Sequence, residues 1–308
     1  MKVRVLGAAA GGGFPQWNCG CAMCRKARAG DVSAKPRTQA SLAVSADGVR
    51  WVLLNASPDL PRQIAQAPCL HPAPGVLRGS PIAAVVLTGA DIDCITGLLS
   101  LREDHEFGLY GPALVLDILR RNVIFDVLPA LRVPRRVLDT GTTEDICDVH
   151  GEPLGLRVTP FRVGGKIPLY TETSDKIEEL LSPDAVIGLD ITDAAGRRLV
   201  FIPGCNAVTD ALRAWVDGAD LLFFDGTLWQ DDEMIRAGLG HKTGARMGHI
   251  SVSGVAGTIA AFAPVKLGRR IFIHINNTNP ILCDDSPEAA AVRAAGWEVA
   301  YDGMEVTT

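Results

Sequence analysis

The chain has 308 residues, 47% of them hydrophobic and 21% charged, the balance of a globular protein with a sizeable core. A formal net charge of −5 removes the electrostatic case for nucleic-acid binding, which asks for a basic patch to meet phosphates. No apolar run reaches the roughly 18 residues of a membrane-spanning helix, so no membrane insertion is expected.

The start, Met1-Lys-Val-Arg-Val-Leu-Gly7, is interrupted by charge and does not read as an export signal. That predicts a cytoplasmic protein whose eight cysteines bind metal or are simply buried. Residues 3–6 alternate and stop at Gly7, which predicts a first strand. The loop over 8–36 opens on Gly11-Gly-Gly13 and carries Cys19, Cys21 and Cys24 in a Cys-x-Cys-x-x-Cys array. Three thiols this close suit a tetrahedral thiophilic ion, because short spacers let one loop fold back on one point. The fourth ligand has to come from elsewhere, so the site ties this loop to a distant segment and shapes the rim of a pocket.

Residues 41–45 and 49–55 read as a hairpin over Asp47-Gly48. A short helix over 58–65 has Ser57 as its cap. Residues 83–87 form a compact apolar strand running into the small and polar 88–93, and 95–102 has helical spacing. Residues 110–112 turn the chain, and a helix over 113–128 ends at Pro129. Strands follow at 156–162, 186–192 and 198–203, the last reaching Gly204-Cys205, then a helix over 207–215. A buried strand over 220–224 ends in Asp225-Gly-Thr227. A short helix at 231–237, a basic glycine-rich loop at 238–248 and a helix at 251–262 capped by Ser251 come next. The chain closes with a strand over 270–274 ending at His274, a helix over 287–295 and a strand over 298–301. No linker or low-complexity run divides it, so we expect one α/β domain over 1–308, with two sheet layers and outer helices.

Four strand ends carry candidate ligands: Asp91, Asp93 and Cys94; Cys205; Asp225; and His274. Carboxylates and imidazole from different strands can converge on one ion, and a mixed oxygen and nitrogen set suits Fe, Mn or Zn. Taken singly, each also has an ordinary structural role; Asp93 alone could be a helix cap. His249 is open to a role as ligand, proton shuttle or partner of a ligand. Lys242 and Arg246 on the basic loop, and Arg37 in Pro-Arg-Thr-Gln, are candidates for meeting substrate carboxylates.

At this point the chain resembles the metallo-β-lactamase superfamily and, within it, the pyrroloquinoline quinone (PQQ) biosynthesis protein B family. The carriers are Gly11-Gly-Gly-Phe-Pro-Gln-Trp-Asn-Cys19, Leu54-Asn-Ala-Ser-Pro-Asp59, Thr88-Gly-Ala-Asp-Ile-Asp93, Phe224-Asp-Gly-Thr227, Arg246-Met-Gly-His249 and His274-Ile-Asn-Asn-Thr-Asn-Pro-Ile-Leu282. The resemblance implies an αββα sandwich of two mixed β-sheets, with metal at the edge where they meet. The superfamily motif His-x-His-x-Asp-His reads here Gly89-Ala-Asp91-Ile-Asp93-Cys94, and Cys205 stands where hydrolases of this fold carry a bridging Asp. The missing histidines argue against a two-metal hydrolase. The resemblance implies instead one ion at Asp91, Asp93, Cys94 and His274, with Asp225 and His249 in catalytic roles. Related phosphodiesterases close the thiol loop as a structural zinc site with a histidine three residues past the final active-site histidine. That position here is Asn277, so the implied zinc set is Cys19, Cys21, Cys24 and Asn277, with His249 or His274 as the alternative fourth ligand.

The implied role is an oxidative step in PQQ biosynthesis. The substrate would be the cross-linked Glu–Tyr diamino acid from the precursor peptide, and the reaction an Fe2+- and O2-dependent hydroxylation of its tyrosine ring. Other divalent metals fit the same ligands. A non-catalytic carrier of PQQ or its precursor is the second reading, and a metal-dependent hydrolase the third. A homodimer is compatible with all three.

Overall fold

The computed structural model describes residues 1–172 and 181–308. Its first sheet contains β1 (Lys2–Gly7), β2 (Ser41–Ser45), β3 (Trp51–Leu54), β4 (Ile82–Val86), β5 (Gly108–Gly111) and β6 (Arg135–Val137), with β16 (Glu305–Thr307) outside β1. The second contains β7 (Glu144–Cys147), β8 (Pro153–Arg162), β11 (Ile187–Asp193), β12 (Arg198–Ile202), β13 (Leu221–Asp225), β14 (Arg269–Ile273) and β15 (Glu298–Val299). A two-stranded ribbon pairs β9 (Gly165–Lys166) with β10 (Leu181–Ser182).

Both sheets are mixed. β1, β2 and β3 pair antiparallel, while β3 through β6 run parallel. In the second sheet β7, β8, β11 and β12 pair antiparallel, and β12 through β15 run parallel. Composition follows position. β13, Leu-Leu-Phe-Phe-Asp, lies between two parallel neighbours and is buried throughout, so both of its faces are apolar. The first six residues of the antiparallel β8 alternate between exposed and buried, one face in water and one on the core.

The sheets pack face to face. Val3, Val5, Leu42, Val44 and Val86 of the first meet Ile187, Leu189, Phe201, Phe223 and Ile271 of the second in one apolar cluster. Helices Leu60–Ala65 and Ala113–Arg121 cover the outer face of the first sheet. Helices Asp210–Val216 and Pro287–Ala294 cover that of the second. This is the αββα sandwich expected above.

Several local expectations differ. The helix over 113–128 breaks at Asn122, whose backbone leaves the helical region (φ −104°, ψ 96°). Its side-chain amide donates to the Ile118 carbonyl (2.7 Å), competing with the backbone ladder. Ser251 bridges Leu228 instead of capping a helix. Gly254 at φ +90° interrupts the run, leaving only Thr258–Ala261 helical. Ser57 bonds the Gln63 side chain (3.1 Å), and the helix starts later, at Leu60. β5, β6, β7 and β16, each of three or four residues, are too short to carry a readable period.

Candidate metal centre and its cavity

The parallel strands β4, β12, β13 and β14 all end at the same edge. The residues that follow them, including Thr88, Asp91, Asp93, Pro203, Gly204, Thr227 and His274, line one cavity of about 410 Å³. Two local features aim the side chains. A Cβ at Gly226 would lie 2.9 Å from the Phe272 Cβ, so only glycine lets the chain after β13 pass this close to β14. His274 adopts φ +57°, a left-handed conformation uncommon for a residue with a side chain.

Ligand atoms of Asp225, His249 and His274 lie within 4.8 Å of one another. Asp225 is fully buried at the end of β13, and its Oδ2 accepts from the Cys205 amide (2.9 Å) and pairs with His249 Nδ1 (2.7 Å). The two imidazoles stack with centroids 5.2 Å apart. His274 Nε2 reaches across the junction of the sheets to Asp93 Oδ2 (2.9 Å). Burial pushes the Asp93 carboxyl up, but the bond and charge of His274 outweigh it and hold it below its usual range. Burial likewise lowers His274, and the bond to Asp93 outweighs that and raises it. Asp91 lines the cavity beside them, pushed up to about 6 by burial and by the charge of Asp93. One imidazole pair with flanking carboxylates is a donor set that fits a borderline divalent ion.

Thr227 is the residue the sequence reading passed over. Its hydroxyl bonds Asp225 Oδ1 (2.6 Å), His249 Nδ1 (3.1 Å), His274 Nδ1 (2.9 Å) and the His274 carbonyl (2.9 Å). The available signal was a hydroxyl two positions after a buried strand-end carboxylate.

The thiol loop forms a second cluster. The sulfurs of Cys19, Cys21 and Cys24 lie within 4.8 Å of one another. The side-chain NH2 of Asn277 donates to Cys19 Sγ (3.1 Å), Cys24 Sγ (3.4 Å) and Cys21 Sγ (3.7 Å), so in this orientation Asn277 braces the sulfurs as a donor and is not placed as the fourth ligand. Cys21 caps the helix Ala22–Arg28, its sulfur accepting from the Cys24 amide (3.4 Å). Burial raises the Cys21 thiol, but hydrogen bonds from Cys24 and Cys19 outweigh it and bring it below the usual range. Three soft sulfurs at a helix N-terminus fit Zn2+. Asn277 lies three positions beyond His274, so the two clusters share one segment, which bonds to the end of β1 (Ala10 amide to Ile275 carbonyl, 2.9 Å).

Arg37 is corrected: it is an internal strut away from the cavity, bonding the Ala300 (3.0 Å) and Leu282 (3.1 Å) carbonyls from a buried position. Cys94 lines the cavity, but its thiol packs on the apolar cluster outside the first sheet and burial raises it far above the usual range. The Cys205 thiol points to the Ala207 carbonyl (3.2 Å) and is pushed up to about 12, first by burial and then by Asp225. Cys205 therefore serves Asp225 through its amide and not its sulfur. Lys242 lines the cavity, and both it and Arg246 pair with Glu172.

The chain matches the beta-lactamase superfamily domain over residues 50–275. It is 54% identical over 308 residues to the coenzyme PQQ synthesis protein B of Gluconacetobacter diazotrophicus, with 100% of both chains covered. It is 52% identical over 306 residues to the protein of that name from Xanthomonas axonopodis pv. citri, with 99% of each covered. Among solved structures, the Zn(2+)-bound PqqB from Methylobacterium extorquens matches with a TM-score of 0.93 and 49% identity over 100% of both chains.

Proposed function

The chain belongs to the coenzyme PQQ synthesis protein B family, and on that premise we propose that it performs an oxidative step in making this quinone cofactor. The substrate is the cross-linked Glu–Tyr diamino acid, and the reaction hydroxylates its tyrosine ring. A ring C–H becomes C–OH, one atom of O2 enters the product and the other leaves as water. Two electrons and two protons come from an external reductant such as ascorbate.

The observation that carries this reading is the meeting of His249, His274 and Asp93 in the lining of the cavity, with the buried Asp225 bonded to His249. His274 and Asp93, with His249 or Asp91, would hold a single Fe2+. When bound, that ion supplies O2 binding and redox chemistry that no side chain here can supply. The chain's own groups orient and move protons. Asp225 and Thr227 fix His249 through Nδ1, so its Nε2 is left to meet substrate or metal. Both the fold and the Zn(2+)-bound relative support a divalent metal. Among the described residues no helix is long and apolar enough to cross a membrane.

Anaerobic loading with Fe2+, followed by O2, ascorbate and the diamino acid, tests the proposal. The expected product carries one added oxygen, labelled when 18O2 is used. Stoichiometric binding without turnover would make the protein a carrier.

A further inference from the structure

The floor of the cavity is acidic and one side of its mouth is basic. Lys166 and Lys242 line it together with Asp91 and Asp93. Lys166, Lys242 and Arg246 converge on a single carboxylate, Glu172. Lys166 Nζ pairs with Oε1, while Lys242 Nζ and Arg246 Nη2 lie 3.8 and 3.7 Å from Oε2. Those two separations exceed a hydrogen bond, so Glu172 satisfies Lys166 and only loosely balances the others. Among the described residues Arg246 Nη1 is buried without a hydrogen-bond partner, a donor left over after Glu172 has been shared out. The bond from Lys166 keeps the Glu172 carboxyl below its usual range, so it is an anion at neutral pH. Among the described residues these three cations share one carboxylate, Glu172, while Asp91 and Asp93 lie elsewhere in the lining of the same cavity. The segment that carries Glu172 is anchored at the cavity by Tyr170, whose hydroxyl donates to the Ala90 carbonyl (2.5 Å).

We propose that Lys166, Lys242 and Arg246 form a carboxylate-binding subsite at the cavity mouth, and that Glu172 is its built-in competitor, displaced when a ligand carboxylate arrives. Planar guanidinium and two ammonium groups match a carboxylate, and Arg246 gains a partner for its orphaned donor. With Asp91 and Asp93 on the other side of the cavity, a ligand carboxylate would be directed to the three cations once Glu172 has moved aside. This deepens the reading above and rests on it for the identity of the natural ligand, since the diamino acid proposed there carries several carboxylates.

The probe is glutarate, a dicarboxylate without a chelating amino group, titrated calorimetrically into the folded protein at low ionic strength. Glu172→Gln keeps the shape and removes the competing charge, and it should tighten glutarate binding about tenfold. Unchanged or weaker binding by folded Glu172→Gln protein would make Glu172 a structural anchor and overturn the proposal. Should Glu172→Gln fail to fold, the half-exposed Lys242 decides: Lys242→Gln should weaken glutarate binding several-fold, and unchanged affinity would overturn the subsite. Neither titration requires turnover. Failure of the hydroxylation therefore leaves this result standing, and failed glutarate binding leaves the metal chemistry untouched.

Discussion

A single hydroxyl sets the chemistry of two imidazoles. Thr227 contacts Asp225, His249 and His274 through one oxygen, and a hydroxyl has only one proton to give. Its shortest contact is to the Asp225 carboxylate (2.6 Å), so it donates there and accepts from Nδ1–H of the histidines. His249 Nδ1 also faces Asp225 Oδ2 (2.7 Å). His249 therefore carries its proton on Nδ1, which frees its Nε2 for a ligand role. His274 Nε2 already meets Asp93 (2.9 Å), the contact that raises the His274 pKa against the effect of burial. An ion held by His274 and Asp93 would take the place of that shared proton. His274→Ala should abolish metal binding at this centre and leave about one zinc per chain in the thiol loop, measured as metal content after loading. Undiminished iron affinity in the variant would remove His274 from the ligand set.

At the scale of elements, the thiol loop and the turn after β14 act as one unit. Cys19, Cys21 and Cys24 hold Asn277, and the same turn begins at His274, so the loop positions the segment that carries His274 as well as itself. Structural zinc adds folding free energy outright. Cys21→Ser should release about one zinc per chain and lower the melting temperature, with zinc content and thermal unfolding as the readouts. Unaltered zinc content would exclude the loop as the site. The cysteine array was legible because its chemistry is local, three ligands inside one loop. The strand ends were legible as well, because parallel strands buried on both faces read as unbroken apolar runs that stop at polar residues, as β13 does at Asp225. The role of Thr227 was not, since it exists only once β13, β14 and the His249 loop are brought together. Arg37 misled for a similar reason: a guanidinium on a loop looks solvated until its carbonyl partners, some 245 to 263 positions away, are in view. The basic character of residues 238–248 was plain, but their partner Glu172 was not, because ion pairing between loops leaves no period.

At the scale of the whole molecule, the sandwich is joined at both ends. His274 and Asp93 link the sheets at the cavity. At the opposite end of the strands, Asp193 closes β11 and takes Arg197 (2.6 Å) and the Met1 amino group just before β1 (3.0 Å). Arg197 also donates to the Thr308 carbonyl beside β16 (2.7 Å), so this clasp spans both sheets. Burial pushes the Asp193 carboxyl up, but bonds from Arg197 and the amino terminus outweigh it and hold it at about 2, against an ordinary 3.8. A carboxyl with a depressed folded-state pKa contributes stability that is complete above its unfolded value and disappears as pH falls through its folded value. Here the window runs from just under pH 4 to pH 2, and the contribution is about 2 kcal/mol at neutral pH. Asp193→Asn should therefore lose roughly that much in urea unfolding at pH 7. The gap to the unsubstituted protein should narrow as both are measured toward pH 2, because protonation then removes the same charge. A difference that stayed constant across this range would show that Asp193 acts through packing or neutral hydrogen bonds, and that the clasp is not electrostatic.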